Sequence, residues 1–132
     1  MIVLDASVVL ELLLRTTLGK SVADRLFADQ LTLHAPHLMD VEVTSVFRRL
    51  NANGALEDRR GREGLRALTD MAIHRYPHEF LLPRIWELRG NLTAYDAAYV
   101  ALAETLQAPL LTCDRRLARS SGHRAQIDVL HA

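Results

Sequence analysis

Four acidic residues stand at positions where a carboxylate is unusual, and two of them follow short apolar runs. Asp5 comes directly after Ile2–Leu4, and Asp114 comes directly after Leu110–Thr112. A helix-like segment follows each acid, so each lies where a predicted strand turns into a helix. Ligands of open α/β sheets bind at this edge, outside the carboxyl ends of the strands. We therefore expect both acids at one sheet edge, although each could also be a simple helix N-cap.

The other two acids lie early in predicted helices. Glu42 has apolar residues at i−4 and i+4, so it projects beside a buried stripe, where an unpaired charge is costly. Asp96 is the single charged residue between positions 94 and 103, in a helix that is apolar nearly all round. Simpler explanations stay open at this point. Glu42 could serve the helix dipole or pair with Arg49, and Thr93 could form a capping box with Asp96.

Carboxylates that meet at one edge must have their repulsion relieved. Two charges ~4 Å apart at an effective dielectric of ~20 cost ~4 kcal/mol. Either some of the acids are protonated, or a cation binds among them. A hard divalent ion with oxygen ligands, Mg²⁺ or Mn²⁺, suits such a set. Because such an ion activates water and stabilises a leaving oxygen, the four acids predict hydrolysis of phosphodiester bonds.

The rest of the sequence predicts the scaffold that positions these acids. Short apolar runs without alternation, typical of strands buried on both faces, alternate with helical segments. This predicts an α/β fold, three-layer α/β/α around a central parallel sheet, with residues 1–132 in a single domain. The predicted strands are Ile2–Leu4, Leu31–Ala35, Ile73–Tyr76, Leu110–Thr112 and Ile127–Leu130. The predicted helices are Ala6–Leu14, Lys20–Ala28 after a break at Leu18–Gly19, Leu38–Asn53, Glu57–Ala72, Glu79–Arg89, Thr93–Gln107 and a short one between Asp114 and Gly122.

The composition narrows the class of protein. The 132 residues include 16 acids and 16 bases, and Lys20 is the only lysine. Arginine suits phosphate, because its planar fork can bind two oxygens at once. No stretch reaches the ~20 apolar residues of a membrane span, and no signal peptide pattern precedes the first strand. The single Cys113 excludes an internal disulfide and a cysteine-based zinc site. We therefore expect a cytoplasmic protein without a membrane segment.

Several segments together resemble the PIN-domain ribonucleases, and in particular the VapC toxins of bacterial toxin–antitoxin pairs. They are Val3–Ser7, Pro36 to Glu42 with Arg48 and Arg49 after it, Leu92–Ala103 and Leu110–Leu117. The resemblance runs from end to end of the chain. It implies a parallel-sheet α/β/α fold and a Mg²⁺- or Mn²⁺-dependent endoribonuclease.

The resemblance also assigns roles to individual residues. The catalytic and metal-binding acids are Asp5, Glu42, Asp96 and Asp114, and the hydroxyls that line the site are Ser7 and Thr112. Some members carry a further acid two or three residues beyond the last one, where this chain has Arg116 and Leu117. The chain therefore departs from the pattern of a full second metal site. We interpret Arg49 and Arg116 as candidate substrate contacts, although solubility or pairing with acids explains any single arginine.

Partners follow from the same resemblance. It implies an RNA substrate, a homodimer, and inhibition by a small cognate antitoxin of the VapB type whose tail fills a groove. Helices Lys20–Ala28 and Leu38–Asn53 offer apolar faces that could receive a partner helix, with Phe27 and Phe47 as test positions. We interpret Trp86 as a core or groove anchor rather than a base-stacking platform.

Other functions fit the sequence less well. The main alternative is a catalytically silent module on the same fold that binds RNA or a partner. A phosphatase with an aspartyl nucleophile needs a second acid where Ser7 stands, and a receiver domain needs a late strand-end lysine that the chain lacks. All four acids are present, so the sequence favours the nuclease.

Overall fold

A computed structural model describes residues 1–130 and contains a five-stranded sheet. The strands are β1 (Ile2–Leu4), β2 (Leu33–Pro36), β3 (Ile73–Tyr76), β4 (Leu110–Thr112) and β5 (Ile127–Val129). Their order is β3-β2-β1-β4-β5, and every neighbouring pair is parallel. The predicted three-layer α/β/α fold around a central parallel sheet is confirmed.

The helices form the two outer layers. They are α1 (Ala6–Leu13), α2 (Thr17–Ala28), α3 (Leu38–Ala52), α4 (Asp58–Asp70), α5 (Leu82–Glu87), α6 (Ala94–Leu106) and α7 (Arg115–Ala118), with a 3₁₀ turn at Glu79–Leu81. Helix α1 packs against α2, α3 and α4, whereas α6 pairs with α5 and lies on β1 and β2. Among residues 1–130, no helix is both long and apolar enough to cross a membrane.

The core is densest where β1 meets α6. Every residue of β1 and β4 is buried, as is each residue of α6 from Ala97 to Ala103. Four of these seven helical residues are alanines, whose small side chains allow close packing against the sheet. Asp96 lies in the turn before this buried segment, so the packing of α6 on β1 sets its position.

The predicted break at Leu18–Gly19 is wrong. The chain turns instead at Arg15, which has a φ of 53°, and Thr16 caps α2 by accepting a hydrogen bond from the Gly19 N–H at 2.9 Å. A Cβ at Gly19 would lie 2.0 Å from the carbonyl oxygen of Glu11. Position 19 of α2 therefore requires glycine, because α1 and α2 are in contact at this point.

Two aromatic residues lie differently from what their sequence context suggested. Trp86 is not a core residue, since it is 66% exposed and Arg89 stacks over its ring at 4.4 Å. Phe47 lies inside the core at 4% exposure, with its ring against Gly64. Phe47 therefore offers no surface to a partner. The predicted helix Glu79–Arg89 is divided into the 3₁₀ turn and the shorter α5.

Candidate active site at the carboxyl edge of the sheet

The strand order creates a crevice between β1 and β4. From β1 the chain adds β2 and β3 on one side, and it then crosses to β4 on the other side. Such a reversal is the usual ligand site of an open parallel sheet. Leu4 pairs with Leu111 across these strands, and the Asp5 N–H donates to the Leu111 carbonyl at 3.0 Å. Asp5 and Asp114, which follow the two strands, flank the crevice.

Asp5 is held by two hydroxyl groups. Its Oδ2 accepts hydrogen bonds from Ser7 Oγ and from Thr112 Oγ1, each at 2.7 Å. The hydroxyls are themselves fixed, since Ser7 Oγ accepts from the Cys113 N–H and Thr112 Oγ1 accepts from the Asp114 N–H, both at 3.0 Å. Asp5 occupies the N-cap position of α1 but forms no side-chain cap bond. Its orientation is therefore set by the hydroxyls rather than by capping.

Glu42 lies in the second turn of α3, and its Oε1 accepts a hydrogen bond from Tyr99 Oη at 2.6 Å. Burial raises the pKa of Glu42, the Tyr99 bond opposes this rise, and the charges of Asp5 and Asp96 add to it. Burial and the adjacent carboxylate also raise the pKa of Tyr99, so its hydroxyl keeps its proton at neutral pH and donates the hydrogen bond to Glu42. The apolar pattern of α6 concealed this tyrosine, although it follows Asp96 by three residues.

Asp96 lies in the first turn of α6, where the Thr93 hydroxyl accepts from its N–H at 3.1 Å. The reciprocal bond of a capping box, from the Thr93 N–H to the Asp96 carboxylate, is not formed in the described part of the chain. Burial raises the pKa of Asp96, and the charges of Asp5 and Asp114 raise it further, against smaller opposing effects of Thr93 and Arg116. Asp96 is therefore more than a capping residue.

Asp114 does cap a helix. Its Oδ1 accepts from the Arg116 N–H at 2.9 Å, and the Arg116 guanidinium lies 3.3 Å from its Oδ2. Burial raises the pKa of Asp114, but the bonds from Arg116 outweigh it and the net pKa is lowered. Arg116 is thus already paired with an acid, whereas Arg49 is exposed on α3 and forms no ion pair with residues 1–130.

Some of the predicted site residues are in direct contact, whereas others interact only through their charges. Asp5 touches Ser7 and Thr112, and Asp114 touches Arg116. Glu42 and Asp96 interact with Asp5 through their charges. Oxygen-only donors of like charge suit a hard divalent ion. Within residues 1–130, however, no three His, Cys, Asp or Glu side chains converge closely enough to hold an ion, so the ligand geometry stays a prediction.

Comparison with known proteins gives consistent matches over the length of the chain. The PIN domain family model matches residues 2–122. Ribonuclease VapC12 of Mycobacterium tuberculosis is 42% identical over 98% of this chain and 99% of its own length. Ribonuclease VapC9 of the same organism is 44% identical, covering 98% of both chains.

Solved structures share the fold at low sequence identity. PAE2754 from Pyrobaculum aerophilum superposes with a TM-score of 0.70 at 24% identity, covering 97% of this chain and 83% of that one. VapBC2 from Rickettsia felis, bound to a DNA fragment from its promoter, gives 0.75 at 12% identity, covering 99% and 100%. At these identities the superpositions support the fold alone.

Proposed function

The chain belongs to the PIN-domain family, among the VapC ribonucleases, and from this membership we propose that it is the endoribonuclease toxin of a toxin–antitoxin pair. Its reaction is the hydrolysis of RNA phosphodiester bonds with a bound Mg²⁺ or Mn²⁺ ion. One observation supports this above all: Asp5 and Asp114 follow the neighbouring strands β1 and β4, and nearby carboxylates add to the burial that raises the pKa of Glu42 and of Asp96.

The proposed ligands of the ion are Asp5, Glu42, Asp96 and Asp114. When bound, a divalent ion supplies a nucleophilic water at neutral pH and a counter-charge for the phosphate. The hydroxyls of Ser7 and Thr112 hold Asp5 in place without neutralising it. The Arg116 guanidinium lies at the rim of the site, where it could exchange Asp114 for a phosphate oxygen. Arg49 is a second proposed contact for the RNA backbone.

The first experiment is metal-dependent cleavage of RNA. The purified protein, Asp96→Asn and Asp70→Asn are incubated with total cellular RNA, with and without Mn²⁺. Asp70 is an exposed acid at the end of α4, so its variant is a matched control for the loss of one carboxylate. We expect discrete Mn²⁺-dependent cuts from the parent and from Asp70→Asn, and none from Asp96→Asn.

Two outcomes would contradict this proposal. Cleavage by Asp96→Asn at the parental rate would mean that the acids are assigned wrongly. If the parent also fails to cut after denaturing purification and refolding, which removes a bound inhibitor, the silent binding module is the better interpretation. Tight RNA binding without turnover would then identify that module.

We propose that the antitoxin binds in a groove beside α2. A cavity of about 500 Å³ lies among α1, α2, β2 and α4, bordered by apolar residues such as Leu13 and Met71. Phe27 lines it and is 82% exposed. The apolar face of a partner helix fits such a groove. The groove includes α2, one of the two helices that the sequence pattern offered, and its other side is formed by α4 rather than by α3.

Binding of the co-expressed antitoxin tests this groove. Phe27→Asp is expected to abolish co-purification of the antitoxin, whereas Leu82→Asp, which changes an exposed leucine on α5, leaves it intact. Retention of the antitoxin by Phe27→Asp would exclude the groove. The predicted homodimer is checked in the same preparations by light scattering.

A further inference from the structure

Tyr99 carries the one polar side chain in the buried segment of α6. From Ala97 to Ala103 the helix is fully buried, and every other side chain in it is alanine, valine or leucine. A buried hydroxyl is costly unless it is hydrogen-bonded, and phenylalanine would fill the same space without that cost. The Tyr99 hydroxyl spans from α6 to α3 and donates to Glu42 Oε1 at 2.6 Å. Its contact with the acid is therefore the feature to explain.

The bond distinguishes the two oxygens of Glu42. Oε1 is engaged by Tyr99, and Oε2 accepts no hydrogen bond from any of residues 1–130. Asp5 has a similar arrangement. Its Oδ2 accepts both hydroxyls, and its Oδ1 accepts none within that range. In each of these two acids, neutral hydroxyls bond one carboxylate oxygen and leave the other without a hydrogen bond from residues 1–130.

This difference between the two oxygens bears on the choice of ion. Mg²⁺ takes six ligands in near-ideal octahedral geometry, whereas Ca²⁺ takes six to eight and readily accepts both oxygens of one carboxylate. We propose that Tyr99 is a positioning residue whose hydroxyl holds Glu42 so that it ligates the ion through Oε2 alone, favouring Mn²⁺ or Mg²⁺ over Ca²⁺. The inference rests on the proposed function, since it takes Glu42 to be a metal ligand.

Direct metal binding tests the inference without RNA. Mn²⁺ and Ca²⁺ are titrated calorimetrically into the full chain and into Tyr99→Phe, which keeps the ring and removes the hydroxyl. We expect Mn²⁺ affinity to fall about 10-fold, the lower end for losing a group that orients a ligand. We expect the affinity for Ca²⁺ to fall less than the affinity for Mn²⁺, so that the ratio of the two affinities becomes smaller in Tyr99→Phe than in the parent. Tyr95→Phe, the same change at an exposed position of α6, is the matched control and should bind both ions like the parent.

A double-mutant cycle separates positioning from general packing. If Tyr99 acts through Glu42, adding Tyr99→Phe to Glu42→Gln causes no further loss of Mn²⁺ affinity. An equal further loss in that background would mean that the hydroxyl only supports the fold, and would overturn the inference. Thermal unfolding of each variant establishes that the titrated protein is folded.

The remaining outcomes distinguish this inference from the proposed function. If Tyr99→Phe binds both ions like the parent while Glu42→Gln loses Mn²⁺, the role of Tyr99 is refuted and the metal site stands. If Glu42→Gln also binds Mn²⁺ like the parent, Glu42 is not a ligand, and both the inference and the assignment of the site fail.

Discussion

Replacing Thr112 by valine tests whether buried hydroxyls hold the acidic site together. Thr112 is 0% exposed, its hydroxyl donates to Asp5 Oδ2 at 2.7 Å, and it accepts from the Asp114 N–H at 3.0 Å. Valine has the same shape, so packing is retained while both bonds are lost. A hydrogen bond to a charged acceptor contributes about 1.5–3 kcal/mol, and an orphaned donor costs about 1–3 kcal/mol. Because Asp5 and Asp114 are only partly buried, water can partly replace the lost bonds. We therefore expect the lower half of the sum of these two terms, a loss of about 2.5–4 kcal/mol in the free energy of unfolding.

Urea denaturation followed by circular dichroism measures this loss, with Thr112→Ser as the control. Serine keeps the hydroxyl and removes one methyl group, which costs about 1 kcal/mol in a packed core. The expected order of stability is therefore parent, serine, valine, and RNA cleavage should follow the same order because Asp5 loses its orientation. A valine variant within about 0.5 kcal/mol of the parent, or a serine variant as unstable as valine, would refute the reasoning.

Three further predictions concern charged residues and metal binding. Since burial and the neighbouring acids raise the pKa of Asp96, the folded state disfavours its charged form, and stability falls as pH rises from the unfolded pKa through the folded pKa. Asp96→Asn should therefore raise the melting temperature of the metal-free protein at pH 7 by a few degrees. Differential scanning fluorimetry from pH 4 to 8 measures this change. An unchanged or lower melting temperature would contradict the reasoning. Saturating Mn²⁺, at about 100 times its Kd, should stabilise the parent by about 2.7 kcal/mol and leave Asp96→Asn unaffected. Glu104→Gln should cost about 3 kcal/mol in urea without changing Mn²⁺ affinity, because its carboxylate, 7% exposed, binds Arg84 at 2.8 and 3.0 Å near the opposite edge of the sheet.

The sequence predicted the acids at the strand ends of the candidate site better than the buried residues that contact them. Asp5 and Asp114 end apolar runs, and parallel strands place such residues at one edge whatever the strand order. That β1 and β4 are neighbours, and so bring these two acids to one crevice, depends on a crossover that no local pattern encodes. Tyr99 was missed for a related reason. In a helical pattern a tyrosine counts as apolar, and its hydroxyl matters only because α3 places Glu42 against it.

At three other positions, tertiary contacts gave a structure that differs from the one predicted by the local sequence. The low helix propensity of Gly19 suggested a break, yet the residue lies within α2. A glycine is needed there because α1 passes too close to leave room for a Cβ. Phe47 and Trp86 both looked like apolar positions, but only Phe47 is covered, since α4 packs over α3 whereas nothing in residues 1–130 covers Trp86 to a similar extent. Periodicity identifies an apolar face, but it does not identify which element covers that face.

Acids in this fold are held in two chemically different ways. Arg75 binds Asp40 through two nitrogens, at 2.7 and 3.1 Å, and Arg84 binds Glu104 in the same manner. These pairs neutralise the carboxylate and join elements that lie far apart in the chain.

At the crevice, neutral hydroxyls take the place of arginine. Ser7 and Thr112 orient Asp5, and Tyr99 orients Glu42, without supplying any positive charge. The hydroxyls orient the acids without balancing their charge. Burial, together with the charges of Asp5 and Asp96, therefore still raises the pKa of Glu42. Under the proposed function, a cation that binds there would be attracted by acids whose side chains these hydroxyls already orient. Asp114 differs because Arg116 pairs with it, through a guanidinium that is 88% exposed.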